Sequence, residues 1–370
     1  MIKGLYIHIP FCENICHYCD FVKYKASESL QITYMEALIK ELASIKEDLS
    51  NVRTVYIGGG TPSHIHHDNL EQLLIQIQNM VDVSSLIEYS MEANPSDIDE
   101  SLIRLLQKYH VSRLSIGVQS FSNRLLKLIG RTHLKDDVIR SVKLLNQMNF
   151  HNYNLDLIYA IPSQTLEDVK VDVLNIAQLN PTHISYYSLI LEERTRLYYD
   201  VIHHHLRLVD EDLEMDMATY IEDTLTEKGY KQYEFSNYAK ESYESNHNLL
   251  YWNLDDYLGV GLGASSLVDG ARFSNVRHLK DYLENIKSMS HGGRIKEDTD
   301  LPYEYLLMGL RKNQGISMTK YNSLFNENIL DAFPAIQKYV QLGFLEVEND
   351  YLRFTKKGKF LSNQFYMELR

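Results

Sequence analysis

The sequence predicts an α/β protein: parallel β-strands joined by crossover helices, followed by a smaller α+β region. Six short apolar runs, rich in β-branched and aromatic residues, each stop at Gly, Pro or a polar residue. Helix-like segments lie between most of them, and strand–helix alternation repeated six times implies parallel pairing with crossovers. Beyond about residue 195 the alternation stops. Six βα units can form an incomplete barrel or an open doubly wound sheet, and periodicity does not choose between them.

The strand-like runs are "GLYIHIP" (4–10), "TVYIGGG" (54–60), "EYSMEAN" (88–94), "RLSIGVQ" (113–119), "NYNLDLIYAIP" (152–162) and "HISYYSLI" (183–190). The first helix is expected over 29–49, where Tyr34, Leu38, Leu42 and Ile45 form one apolar stripe. Others are expected near 68–80, 99–109, 122–148 with a break around Gly130, and 166–179. Residues 203–234 read as a helix ending near Gly229 and then a strand. "YLGVGLGASSLV" (257–268) is a Gly-rich loop beside a short strand; it lacks the strand–helix unit and later acidic residue of a dinucleotide site, so a packing turn or a cavity wall is expected. From 301 the order is helix, turn, further helices, two short strands around Asn349–Asp350 and a last helix, a winged-helix-like shape. The division expected is 1–195, 196–290 and 291–370, with "SMSHGGR" (288–294) as the connection before the last part.

Composition bounds the function. In 370 residues, 44% are apolar and 24% charged, ordinary for a globular protein. No run nears the ~18 apolar residues of a membrane span, and "MIKGLYIHIPF" lacks a cleavage site, so no signal peptide is expected. The net charge of −13 argues against a nucleic-acid partner, and the C-terminal region has no basic recognition helix. Transient contact with a membrane surface stays open. All three cysteines, Cys12, Cys16 and Cys19, lie in "CENICHYC". An odd count without an export signal points to a reducing cytoplasm rather than a disulfide framework.

Three thiols within eight positions after a first strand suit an iron–sulfur cluster with one iron left open. The alternative is structural zinc, with His17 or another histidine as the fourth ligand. His17 lies between two of the cysteines, a poor geometric choice. Loops at the C-terminal ends of parallel strands are where such a site belongs. "HIHH" (64–67) and "HHH" (203–205) read as solvated segments and are assigned no role.

The spacing C-x3-C-x2-C, with Tyr18 before the third cysteine, is followed by "GGGT" (58–61), Glu92 in "MEANP", Gln119 in "GVQSF", Arg131 in "GRTH" and Asp156 in "NLDLIY", at successive strand ends. This set resembles the radical S-adenosylmethionine (SAM) superfamily. The resemblance implies a [4Fe-4S] cluster on Cys12, Cys16 and Cys19, with SAM on the open iron. It implies that Gly59, Gly60 and Thr61 meet the SAM amino group and that Glu92 holds ribose hydroxyls or the ammonium. Gln119, Arg131 and Asp156 would surround the same cavity, with Tyr6 and Tyr18 lining it.

The phrases "YIHIPFC", "IGGGTPS", "DLIYAIPSQT", "YYSLILEERT" and "GLRKNQGIS" resemble the HemN/HemW branch of oxygen-independent coproporphyrinogen III dehydrogenases and haem chaperones. The branch implies an incomplete parallel (β/α)6 barrel with a small C-terminal domain. The dehydrogenases carry a fourth cysteine two residues after the third, and a long N-terminal arm. Here Asp20–Phe21 follow Cys19, and the first cysteine is already at position 12. "HNLLYW", His247–Trp252, matches the chaperones' H-N-x-x-Y-W motif, which implies haem association, with His247 as an axial ligand. By residue type alone, the same stretch reads as a core histidine beside packed aromatics. The expectation is a haem chaperone whose partners are haem and haem-acceptor proteins. The alternatives are a dehydrogenase decarboxylating two propionates and a zinc-stabilised α/β protein.

Overall fold

The computed structural model describes residues 1–45, 49–289 and 292–369. Its centre is a run of six parallel strands, β1 (Gly4–Ile9), β2 (Thr54–Gly59), β3 (Glu88–Ala93), β4 (Arg113–Gln119), β5 (Tyr153–Tyr159) and β6 (His183–Ser188), each hydrogen-bonded to the next in chain order. Crossover helices α1 (Glu28–Ser44), α2 (His67–Met80), α3 (Glu100–Lys108), α4 (Asn123–Leu128), α5 (Lys135–Gln147) and α6 (Leu166–Leu179) return the chain between them. Strand alternation divides the side chains. Leu5, Ile7 and Ile9 face the helices and are fully buried, while Tyr6 and His8 face the interior of the curved sheet.

The helices follow their sequence signals. The expected stripe on α1 is buried at Tyr34, Leu38 and Leu42 after a Ser27 cap, but Glu41 is buried with it. The expected tail of that helix falls partly on residues 46–48, outside the described residues. The expected break at Gly130 separates α4 from α5, with Gly130 at φ +76°. A Thr165–Asp168 capping box starts α6.

The helix expected from residue 203 begins later. After α7 (Arg196–Ile202) the chain turns through His204 at φ +58°, and Asp210 caps α8 (Glu211–Glu227). Strands β7 (Lys231–Gln232) and β8 (Asn237–Ala239) add antiparallel to the β6 edge. Helix α9 (Asn246–Trp252) follows. Then β9 (Tyr257–Val260) pairs parallel with β1, and β10 (Ser265–Val268), β11 (Ala271–Ser274) and β12 (Ile295–Lys296) continue that edge antiparallel. Helix α10 (Leu279–Met289) lies between the last two. Among the described residues the sheet is thus twelve-stranded, mixed and open: its order runs from β12 to β7 without closing. The connection expected at 288–294 includes Ser290 and His291, which lie outside the described residues.

A second apolar cluster, including Tyr305, Leu306, Ile336, Leu352 and Phe365, holds the C-terminal helices and a three-stranded antiparallel sheet. The expected hairpin joins Leu345–Glu348 to Tyr351–Phe354. Asn349 and Asp350 both take positive φ, +49° and +78°, as a two-residue turn matched to strand twist requires. Among the described residues no helix is long and apolar enough to cross a membrane.

Candidate functional site

A cavity of about 440 Å³ opens at the C-terminal ends of the parallel strands. Cys12, Cys16, Tyr18, Cys19, Gly59, Gly60, Thr61, Glu92, Gln119, Arg131 and Asp156 all line it. Tyr6 and His247 do not. Tyr6 stands one layer behind, its ring stacked 6.2 Å from that of Tyr56, which does line the cavity.

The glycine turn is dictated by close packing. A Cβ on Gly58 would lie 2.9 Å from the Glu92 carboxyl, one on Gly59 2.5 Å from the His8 ring, and one on Gly60 2.7 Å from the backbone of Phe11. Gly59 also takes φ +116°. This fit lets the cysteine loop lie on the end of β2, where Gly60 N–H donates to Ile9 O at 2.8 Å and Thr61 N–H to Phe11 O at 2.8 Å. His8 ties the loop's return. Its Nε2 bonds Val22 O and its Nδ1 bonds Tyr6 OH, both at 2.9 Å.

Glu92 accepts from Tyr56 OH at 2.8 Å and from Gly59 N–H at 2.9 Å. Burial pushes its pKa up to about 7, with the Asp156 charge adding to the rise. Asp156 accepts from Ser115 Oγ at 2.9 Å and Asn154 Nδ2 at 2.7 Å, and burial raises its pKa too. Arg131 donates to Asn94 Oδ1 at 2.6 Å and Gly117 O at 2.5 Å, and its Nη1 lies 3.7 Å from Cys16 Sγ. Gln119 ends β4 beyond a register shift from Gly117 and takes φ +67°. The buried Asp172 carboxyl fixes that turn by accepting from Phe121 N–H at 2.6 Å and Ser120 Oγ at 3.0 Å.

Three thiols, the donor set of a cluster with an open iron, line one cavity, although among the described residues no three His, Cys, Asp or Glu side chains are drawn together closely enough to hold a metal ion. His17 is engaged elsewhere: its Nδ1 and backbone N–H donate to Leu128 O and Ile129 O, both at 2.9 Å. Burial raises the Cys12 pKa and pushes that of Cys19 up to about 11, so these thiols must lose protons to act as ligands. The Arg131 guanidinium lies beside Cys16 Sγ, a positive charge at the loop. Glu92 and Asp156, carboxyl groups lining the same cavity as the thiols, suit the ammonium and hydroxyls of SAM.

His247 lies at the other end of the strands. Helix α9 packs against the first residues of β1, β2 and β3, and a Cβ on Gly4 would lie 2.6 Å from Leu250 Cδ1. His247 is fully buried, its Nδ1 bonded to Thr54 Oγ1 at 2.7 Å and its Nε2 to Tyr251 OH at 2.8 Å. Burial depresses its pKa to about 3, so the ring is neutral. Both ring nitrogens are hydrogen-bonded in this arrangement, so a role as axial ligand would require these bonds to be exchanged. Glu88 staples the helix start, accepting from Ser245 Oγ at 3.2 Å and Asn246 N–H at 2.6 Å. The Tyr56 ring stacks 5.2 Å from that of His247, so this plug forms a floor beneath the cavity.

Sequence reasoning missed Tyr56, Ser115 and Tyr187, which line the cavity, and His8 and Asp172, which hold its loops. Tyr56 and Tyr187 were within reach: each is two residues from another inward position, Gly58 and Ser185. Asp172, on the inner side of a helix, gave no such signal.

Comparison with known proteins agrees with this geometry. Residues 6–174 match the radical SAM superfamily model, and 297–361 match that of the HemN C-terminal domain. The haem chaperone HemW of Lactococcus lactis is 38% identical, over 98% of this chain and 96% of that protein. HemW of Bacillus subtilis is 34% identical over 99% and 98%, and that of Escherichia coli 33% over 97% and 96%. The structure of coproporphyrinogen III oxidase (HemN) from Escherichia coli superposes with TM-score 0.83 at 20% identity, covering 100% of this chain and 90% of that one, a likeness of fold. The chain belongs to the radical SAM superfamily, in its HemN/HemW branch and on the HemW side.

Proposed function

We propose that this protein is a haem chaperone of the cytoplasm, which binds haem and passes it to acceptor proteins. In this reading it carries a [4Fe-4S] cluster on Cys12, Cys16 and Cys19, and SAM beside it. The observation that carries the reading is end-to-end similarity to proteins named haem chaperones, reaching 38% identity over 98% of the chain. When bound, the cluster and SAM supply one-electron chemistry. The chain's own part is positional. Arg131 places its guanidinium beside Cys16, the Gly59–Thr61 turn admits a ligand close to the backbone, and Glu92 and Asp156 accept from its ammonium and hydroxyls. Phe21 and Ile190, 61% and 70% exposed, stand at the cavity with apolar surface to spare.

The test is anaerobic reconstitution with iron and sulfide, followed by haem titration and a coproporphyrinogen III turnover assay on one preparation. Haem binding without turnover is expected. Robust conversion of coproporphyrinogen III with SAM and a reductant would replace this reading with the dehydrogenase. One zinc per chain and no sulfide would remove the cluster.

A further inference from the structure

The two ends of helix α9 are held differently. At its start, His247 and the Ser245 hydroxyl are hydrogen-bonded within the barrel, and Ser245 N–H donates to Tyr233 OH at 3.1 Å. At its end Trp252, the only tryptophan in the chain, lies under the Arg311 guanidinium, 4.7 Å from the ring centre. One residue on, Asn253 Oδ1 accepts from Lys312 Nζ at 2.5 Å. Arg311 and Lys312 lie within the part that matches the HemN C-terminal domain, so this part closes over the last turn of the HNLLYW helix.

The backbone around this joint is fixed. Phe235 N–H donates to Arg311 O at 3.1 Å, and Asn313 N–H to Tyr233 O at 3.0 Å. The side chains are not. The buried Glu234 carboxylate faces Arg311 Nη2 at 3.9 Å, an ion pair too long for a hydrogen bond. Glu234 Oε2, Arg311 Nε and Trp252 Nε1 are all buried without a hydrogen-bond partner among the described residues. Buried polar groups are normally matched, so orphans gathered at one place require a reason. Seams between parts of a chain are more polar than cores and are where relative motion is expected. At a seam that opens, groups unmatched in the closed form find partners in the open one. What holds it closed is the stack, since an indole face is the best aromatic partner for a cation.

We propose that Arg311 is a positioning residue for the HNLLYW helix: stacked on Trp252 and steadied by Glu234, it latches the C-terminal part over the end of α9 and limits the access of haem to that segment. The inference rests on the haem-binding reading above, with this motif as the segment that haem meets. Trp252 is its own probe. The test compares the full-length wild type, Arg311→Gln, Arg311→Lys and the R311Q/E234Q double variant, with circular dichroism as the check on folding. The double variant removes both charges, so that neither is left buried alone. Without haem, Trp252 emission is expected to shift to the red, and its quenching by acrylamide to rise at least ~2-fold, in Arg311→Gln and the double variant. Arg311→Lys, which keeps the charge but not the planar face, is expected to fall between these and the wild type. With ferric haem, the loss of Trp252 emission in stopped flow reads the association rate, expected to be at least ~5-fold faster in the same two variants. Folded variants with wild-type emission and acrylamide quenching overturn the inference and leave the chaperone reading standing. Folded variants whose emission shifts while haem associates at the wild-type rate also overturn it. A wild type that binds no haem overturns both, a result recognised by the absence of haem quenching in every variant.

Discussion

Glu41 is a carboxylate in the middle of a helix's apolar stripe, 1% exposed, and the Gly-rich loop is built around it. Its Oε2 accepts from Gly261 N–H at 2.8 Å and Tyr282 OH at 2.7 Å; its Oε1 accepts from Asn275 Nδ2 at 2.9 Å and Gly292 N–H at 3.0 Å. Replacing it by Gln keeps the shape but turns one acceptor into a donor facing two donors. Two hydrogen bonds to a charged group are lost, each worth ~1.5–3 kcal/mol. If the amide faces Tyr282, the hydroxyl can rotate to accept and recover about 1 kcal/mol. Glu41→Gln is therefore expected to cost about 2–5 kcal/mol, while Tyr282→Phe, which removes one donor, is expected to cost about 1.5–3 kcal/mol.

The assay is urea unfolding of the full-length chain, followed by far-ultraviolet circular dichroism. A second readout follows from the wiring. Leu262 N–H donates to Tyr34 OH, Tyr34 OH donates to His8 O, and the His8 ring holds Val22 at the end of the cysteine loop. Glu41→Gln should thus also lower the iron retained after anaerobic reconstitution, although Glu41 does not line the cavity. A Glu41→Gln protein within about 0.5 kcal/mol of wild type would refute the argument, because an isosteric change at a surface site costs that little.

Replacing any one of Cys12, Cys16 or Cys19 with Ala should remove most cluster iron and sulfide, with the circular dichroism spectrum unchanged. Glu92→Gln should weaken SAM binding by about 10–100-fold, since a charge-assisted acceptor becomes neutral. With the Glu92 pKa near 7, wild-type affinity should rise with pH through that value, and the Gln variant should lose this dependence in calorimetric titrations at pH 6 and 8. Burial pushes Asp172 up to about 7 from its usual 3.8, so its contribution to stability is full below pH 4 and is lost as pH rises through 7. Asp172→Asn should flatten the fall in urea midpoint across that window; an unchanged slope would show that the group does not titrate there.

The six parallel strands were legible because each carries its own local signal: apolar on the helix-facing side and ended by a turn residue. The cysteine loop and strand-end residues were legible because their order along the chain follows the order of strand ends. The edges were less so. Two- to four-residue strands such as Lys231–Gln232 and Ile295–Lys296 have no periodicity to read, and only pairing with a neighbour defines them. "GVGLGASS" read as a packing turn or a cavity wall, and Glu41, more than two hundred residues away in sequence, makes it a packing turn. "HNLLYW" carried the greatest ambiguity. Histidine beside Tyr and Trp has the same letters whether it faces a porphyrin or packs in a core, and the partners Thr54 and Tyr251 are visible only in the fold.

Strand β3 shows how one face of a parallel sheet serves both ends. Glu88 and Glu92, four residues apart, point to the same side because strand side chains alternate. At the N-terminal end, Glu88 accepts from Ser90, Ser245 and Asn246, and is wholly spent on the plug. At the C-terminal end, Glu92 accepts from Tyr56 and Gly59 and still lines the cavity. Tyr56 joins the two levels, with its hydroxyl on Glu92 and its ring on His247. A His247 moved out to bind iron would remove the ring beneath Tyr56 and leave Thr54 and Tyr251 without their shared partner. The residue that orients Glu92 would then lose its support. The segment that carries His247 is thus coupled through Tyr56 to Glu92, so a change at the N-terminal end of the strands is felt at the cavity on the other end.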